Sequence, residues 1–171
     1  MLKLRKNKKG FTLVELIVVI AIMAVLAGTV AGVTVTQLNK QTNNSGATQA
    51  KLIADYVVQE LGANLDDITV TVQKGTGDDA TLVTAFKDIS TDPNTHKFVI
   101  IDNIEANMKN DKFEWGDGKG QIKVEVISGA DAGTDKDGKA IMDTVQITYV
   151  AKGNGSNTVY TVTADGVLKK G

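Results

Sequence analysis

Residues 11–35 of the chain, FTLVELIVVIAIMAVLAGTVAGVTV, form an apolar block of 25 residues interrupted by one charge, Glu15. At about 1.5 Å per residue, a helix of that length spans a hydrocarbon core of about 30 Å. The block contains no proline; Pro93 is the only one in the chain. Polarity then rises, and Leu52, Ile53, Tyr56, Val57 and Leu61 recur at three- and four-residue spacing. That spacing predicts an amphipathic continuation of the helix over 36–62, with Gly62 as its stop. Asn43-Asn44-Ser45-Gly46 is a weak stretch where the helix is expected to kink or break.

Beyond residue 63 the period changes from helical to two. Ile68, Val70 and Val72 alternate with threonine, and Ile122, Val124 and Val126 alternate with Lys123 and Glu125. Val145, Ile147 and Tyr149 alternate with Thr144, Gln146 and Thr148, and Tyr160 and Val162 continue the pattern. Alternation with one polar face predicts antiparallel strands with one side buried. Asn154-Gly155 and Asp165-Gly166 are hairpin-turn dipeptides. Lys74-Gly75-Thr76-Gly77-Asp78-Asp79 and 129–139 read as mobile, exposed loops. The expected fold is therefore α+β: a long N-terminal helix, apolar in its first half, packed on an antiparallel sheet that makes up the head at 63–171.

Charge sharpens this picture at the N-terminus. Lys3, Arg5, Lys6, Lys8 and Lys9 precede the apolar block with no acid among them. They take five of the 19 basic residues, leaving 14 against 20 acids and a net charge of about −6 for residues 11–171. The positive-inside rule keeps such a basic cluster cytoplasmic and sends the remainder outward. An acidic remainder whose only cations are lysines does not present the basic face of a general nucleic-acid binder, although a local basic stripe stays open. A simple membrane anchor is one alternative; an ordinary secretory signal cut after Val25-Leu26-Ala27 is another, but the apolar run outlasts the usual 7–15 residues and passes through that cut.

Glu15 is the anomaly. A carboxylate in a low-dielectric region costs several kcal/mol unless it is paired. Residues 11–35 contain no Lys, Arg or His. Its partner is thus expected outside this segment: another chain, a headgroup, water or a new positive terminus.

Lys8-Lys9-Gly10-Phe11-Thr12-Leu13-Val14-Glu15-Leu16 resembles the class III signal of type IV prepilins and pseudopilins, a short basic leader followed by Gly, Phe and a nearby Glu. The resemblance covers about residues 3–35 and is architectural beyond them. It implies a leader, 1–10, removed between Gly10 and Phe11 by a membrane-bound prepilin peptidase, and N-methylation of Phe11. It also implies that Glu15 pairs with the terminal amine of a neighbouring subunit, so that the helix over 11–35 enters a filament core. The implied partners are other copies of the chain, an assembly ATPase and a platform protein. The implied location is first the cytoplasmic membrane and then a surface pilus serving adhesion, motility or DNA uptake. A minor pilin or pseudopilin of a secretion or competence system is the alternative within the family. A membrane-tethered extracellular binding domain is the alternative outside it. Many pilins carry a proline where this chain has Gly32. Gly28 and Gly32 make a small-xxx-small face suited to close helix packing, or a point of flexibility over 28–36. Many relatives staple their C-terminal region with a disulfide; with no cysteine, this chain must hold it by hydrogen bonds or β-pairing, as in many pilins of Gram-positive bacteria.

No constellation of residues reads as an active site, and no cofactor is expected. His96 is the single histidine, so neither a His-based metal site nor a Ser-His-Asp triad can be assembled around it, and it is expected in a solvated loop near Pro93. Asp131, Asp135 and Asp137 are weak calcium candidates that lack the EF-hand series and its distal glutamate. Asn43-Asn44-Ser45 and Asn154-Gly155-Ser156 match the short glycosylation sequon.

Overall fold

The computed structural model describes residues 10–109, 113–153 and 157–171, excluding the side chain of Ala31. The basic residues of the leader and the Asn154-Gly155-Ser156 turn and sequon lie outside the described residues. The chain divides into two compact units, 1–40 and 41–171.

Helix α1 runs unbroken from Leu13 to Ala63. It starts two residues later than the apolar block and ends one residue beyond Gly62, the expected stop. Its first unit carries the long apolar surface: Val14, Ile17, Val18, Ile22, Val25 and Val33 are all exposed. This helix is long and apolar enough to cross a membrane. The hydroxyls of Thr29, Thr34 and Thr36 donate to the carbonyls of Leu26, Val30 and Gly32 at 3.0, 2.8 and 3.1 Å. Each threonine so satisfies its polar group on its own helix, as an apolar environment requires.

In the second unit α1 supplies one wall of the core through Ala50, Ile53, Ala54, Val57 and Leu61, all essentially inaccessible. The buried stripe differs from the expected one: Leu52 is 53 % exposed, and the alanines take its place. Small residues let the helix lie close to the sheet. The break expected at Asn43–Gly46 does not occur; α1 is helical through all four residues.

A four-residue helical turn, α2 (Leu65–Ile68), leads into β1 (Thr69–Lys74), which pairs antiparallel with β2 (Thr81–Phe86). The remaining strands, β3 (Ile122–Ile127), β4 (Thr144–Tyr149), β5 (Thr158–Thr163) and β6 (Leu168–Lys170), form a separate antiparallel sheet in sequential order. Two sheets thus replace the single one expected. The larger sheet behaves as its pattern predicts, with Ile122, Val145, Ile147, Tyr149, Tyr160 and Val162 buried with the α1 stripe. In the two-stranded sheet Ala85 packs with Ala132 and Ile141 in a small separate cluster, flanked by Val72 and Val83.

Between the sheets lies α3 (Val99–Met108), where sequence periodicity predicted only strands and turns. Ile100, Ile104 and Met108 are buried at four-residue spacing, so tertiary burial decides for helix over the β-branched run at its start. The Asp165-Gly166 turn is formed as predicted: Gly166 sits at φ +84 and its N–H donates to the Thr163 carbonyl at 2.8 Å. It returns the chain to β6, and Gly171 N–H donates to Val159 O at 2.9 Å. β-Pairing therefore secures the C-terminus.

Candidate processing and assembly site

Gly10, Phe11 and Thr12 precede the first helical residue. Phe11 is 85 % exposed, and a Cβ placed on Gly10 would meet nothing within 4 Å. Packing among the described residues does not call for glycine at that position.

Thr12 starts the helix. Its carbonyl accepts the N–H of Leu16 at 3.3 Å, and its Oγ1 accepts the N–H of Glu15 at 3.3 Å. In return Glu15 Oε2 accepts the Thr12 backbone N–H at 2.8 Å and the Thr12 hydroxyl at 2.9 Å. This is a reciprocal capping box, which satisfies two of the donors that a helix N-terminus otherwise leaves without partners. The carboxylate also lies at the positive end of the helix dipole. Glu15 accordingly has a partner within residues 11–35, the neighbouring turn of its own chain, which a search for cations alone overlooks. The signal was present as Thr-x-x-Glu immediately before an apolar run.

Gly28 and Gly32 also face open space: a Cβ added at either would have no neighbour within 4 Å. Among the described residues they leave a strip of helix backbone uncovered.

The other candidates are engaged elsewhere. Asp135 Oδ1 accepts the N–H groups of Asp137 and Lys139 at 2.9 and 2.8 Å, and Asp137 Oδ2 pairs with Lys136 Nζ at 2.6 Å. The ammonium of Lys74 donates to the Asp131 carbonyl, and Gly75 N–H donates to Thr134 O at 3.0 Å. The two loops expected to be mobile are thus tied to each other, reinforced by a bridge between Lys74 and Asp135. Among the described residues no three His, Cys, Asp or Glu side chains converge as metal ligands.

His96 lies in the exposed loop beside Pro93, as expected, and is engaged there. Its Nδ1 lies 2.8 Å from Asp88 Oδ2, and its ring stacks on Phe98 with centroids 5.9 Å apart. Asp88 Oδ1 accepts the N–H groups of Ser90 and Lys97 at 2.8 and 3.2 Å. Burial works against the Asp88 charge, but the His96 contact and these N–H donors outweigh it and hold the carboxyl below the usual carboxylate range. The pair closes the neck of the loop around Pro93.

Residues 5–31 match the family described as prokaryotic N-terminal methylation motif. Neither the curated proteins nor the solved structures include a match to this chain.

Proposed function

The chain carries a type IV pilin-like class III signal, and we propose that it is the precursor of a structural filament subunit. Prepilin peptidase removes residues 1–10 by cutting between Gly10 and Phe11, and the new Phe11 amine is methylated. Residues 11–35 hold the precursor in the cytoplasmic membrane as a single span with the N-terminus inside. Copies of that helix then pack into the core of a surface filament, with the β-rich heads outward, under the action of an assembly ATPase and a platform protein.

One observation carries this reading: the methylation motif spans residues 5–31, and within it a non-helical, exposed Gly10-Phe11 pair stands just before a helix whose apolar surface is exposed among the described residues. A glycine at a position where a Cβ would meet none of the described residues suits a peptidase that must close around the backbone. An uncovered apolar surface of this length suits a lipid bilayer first and other helices afterwards. Methylation leaves the Phe11 amine protonated at neutral pH. It thereby supplies the cation that residues 11–35 lack, close to the carboxylate that Thr12 already holds.

The deciding experiment is the mass spectrum of the mature N-terminal peptide from cells, together with microscopy of sheared surface material. A peptide starting at Phe11 with one added methyl, in filaments, supports the proposal. A start at Gly28 or an intact Met1 overturns it in favour of a secreted or membrane-tethered domain.

A further inference from the structure

Three features coincide in one turn of α1. Gly46 is buried, and a Cβ there would lie 1.8 Å from Cζ of Tyr149, inside its ring. The Tyr149 hydroxyl donates to the backbone carbonyl of Thr42 at 3.0 Å, spanning 107 residues of sequence. Asn43 Oδ1, on the same turn, is buried without a hydrogen-bond partner. The turn is also composed of poor helix formers: Asn43, Asn44, Ser45 and Gly46. A glycine in a helix interior costs stability, and a buried acceptor with no partner costs more. Such local conflicts persist only where something outside the turn enforces the conformation.

We infer that Tyr149 is a clasp that keeps the turn at 42–46 helical, with Gly46 as the seat that its ring requires. Tyr149 ends β4, the strand flanked by β3 and β5, and its register is fixed by pairing with Ile122 and Thr158. Its ring is therefore held by the sheet, not by the helix. With the clasp closed, the hydroxyl adds a donor to the Thr42 carbonyl and the ring excludes water from the turn. With the clasp open, the turn unwinds readily, because water then satisfies Asn43 Oδ1 and the glycine regains its backbone freedom. In a filament under load, which rests on the function proposed above, the clasp stops unwinding of α1 from spreading past Thr42 into the head. The clasp itself belongs to the folded chain and can be tested without filaments.

Hydrogen exchange of the full-length chain in detergent micelles tests it, comparing wild type, Tyr149→Phe and Gly46→Ala. Tyr149→Phe retains the ring and is expected to speed exchange of the 42–47 amides by about tenfold, the factor that loss of one ordinary hydrogen bond produces. Amides of 53–61 and of β4 and β5 are expected to keep wild-type rates. Gly46→Ala discriminates most sharply, because helix propensity alone predicts slower exchange in the turn, whereas the clasp predicts faster exchange as the methyl expels the ring. Wild-type protection over 42–47 in Tyr149→Phe, slower exchange there in Gly46→Ala, or equal acceleration across 42–61 and the sheet would each overturn the inference.

Discussion

The Thr12 hydroxyl serves Glu15 twice, accepting its backbone N–H at 3.3 Å and donating to its carboxylate at 2.9 Å. Together with the Thr12 backbone N–H, this closes the first turn of α1 around a single pair of side chains. A valine at position 12 keeps the shape and β-branching while removing the cap. We expect Thr12→Val to remain cleavable, since Gly10 and Phe11 lie before the cap. It should weaken the helix start by about 1 kcal/mol. Amide exchange at Leu13–Leu16 measures this, and wild-type protection there would mean that the cap is idle.

Glu15 combines a local role with an assembly role, and substitution can separate them. Glu15→Gln retains an acceptor for the Thr12 N–H but carries no charge; Glu15→Ala removes both. If pairing with the Phe11 amine drives assembly, both variants lose most of their filaments while the leader is still removed. If only the cap matters, Gln assembles nearly as well as the wild type and Ala does not. Counting filaments by microscopy, with the processed fraction read from band shifts, distinguishes the two. Abundant normal filaments from Glu15→Ala would remove both roles.

The Asp88–His96 pair ties stability to pH in a defined direction. The folded state holds the Asp88 carboxyl below its ordinary range. The unfolded chain therefore binds a proton there before the folded chain does. The contribution of Asp88 is present above the unfolded pKa and is lost as pH falls through the folded one. Asp88→Asn is expected to lower Tm at pH 7 and to approach the wild type only once the pH has fallen below the lowered folded pKa of Asp88, where both side chains are uncharged. Parallel melting curves with a constant gap across that range would mean that the carboxylate charge plays no part.

The parts of this fold that were legible in the sequence are those decided by local pattern. The apolar block announced α1, strict alternation announced β3, β4 and β5, and Asp165-Gly166 announced the return to β6. What was hidden depends on distant residues. Helix α3 opens with a Val99-Ile100-Ile101 run of strand-like composition, and its helicity follows from the burial of Ile100, Ile104 and Met108 at one-turn spacing. The turn at 43–46 has breaker composition and is helical because Tyr149 reaches it from β4. At the site, Gly10, Phe11 and Glu15 stood out by residue type and order. The role of Thr12 is not legible from charge alone, because a carboxylate at a helix start can be partnered by the backbone donors there as well as by a cation.

Calcium is the last question that the acidic loop raises, and the partners of its oxygens give a reason to expect no binding. Two of the oxygens such an ion would use are already taken: Asp135 Oδ1 by two backbone N–H groups, and Asp131 O by the Lys74 ammonium. The Asp137 carboxylate is paired with Lys136, whose pKa is raised by that hydrogen bond. A cation would have to displace two ammonium groups of its own sign. A site filled at a hundred times its Kd would add about 2.7 kcal/mol to stability and raise Tm by several degrees. We expect the melting temperature in excess calcium to equal that in chelator. Lys74→Met is expected to melt lower and to be cut faster by protease within 129–139, with no rescue by calcium, because the variant loses the side-chain tie to the Asp131 carbonyl and keeps only the backbone ties. A clear calcium-dependent rise in the wild type would show instead that the loop opens to form a site, and that Lys74 only covers it.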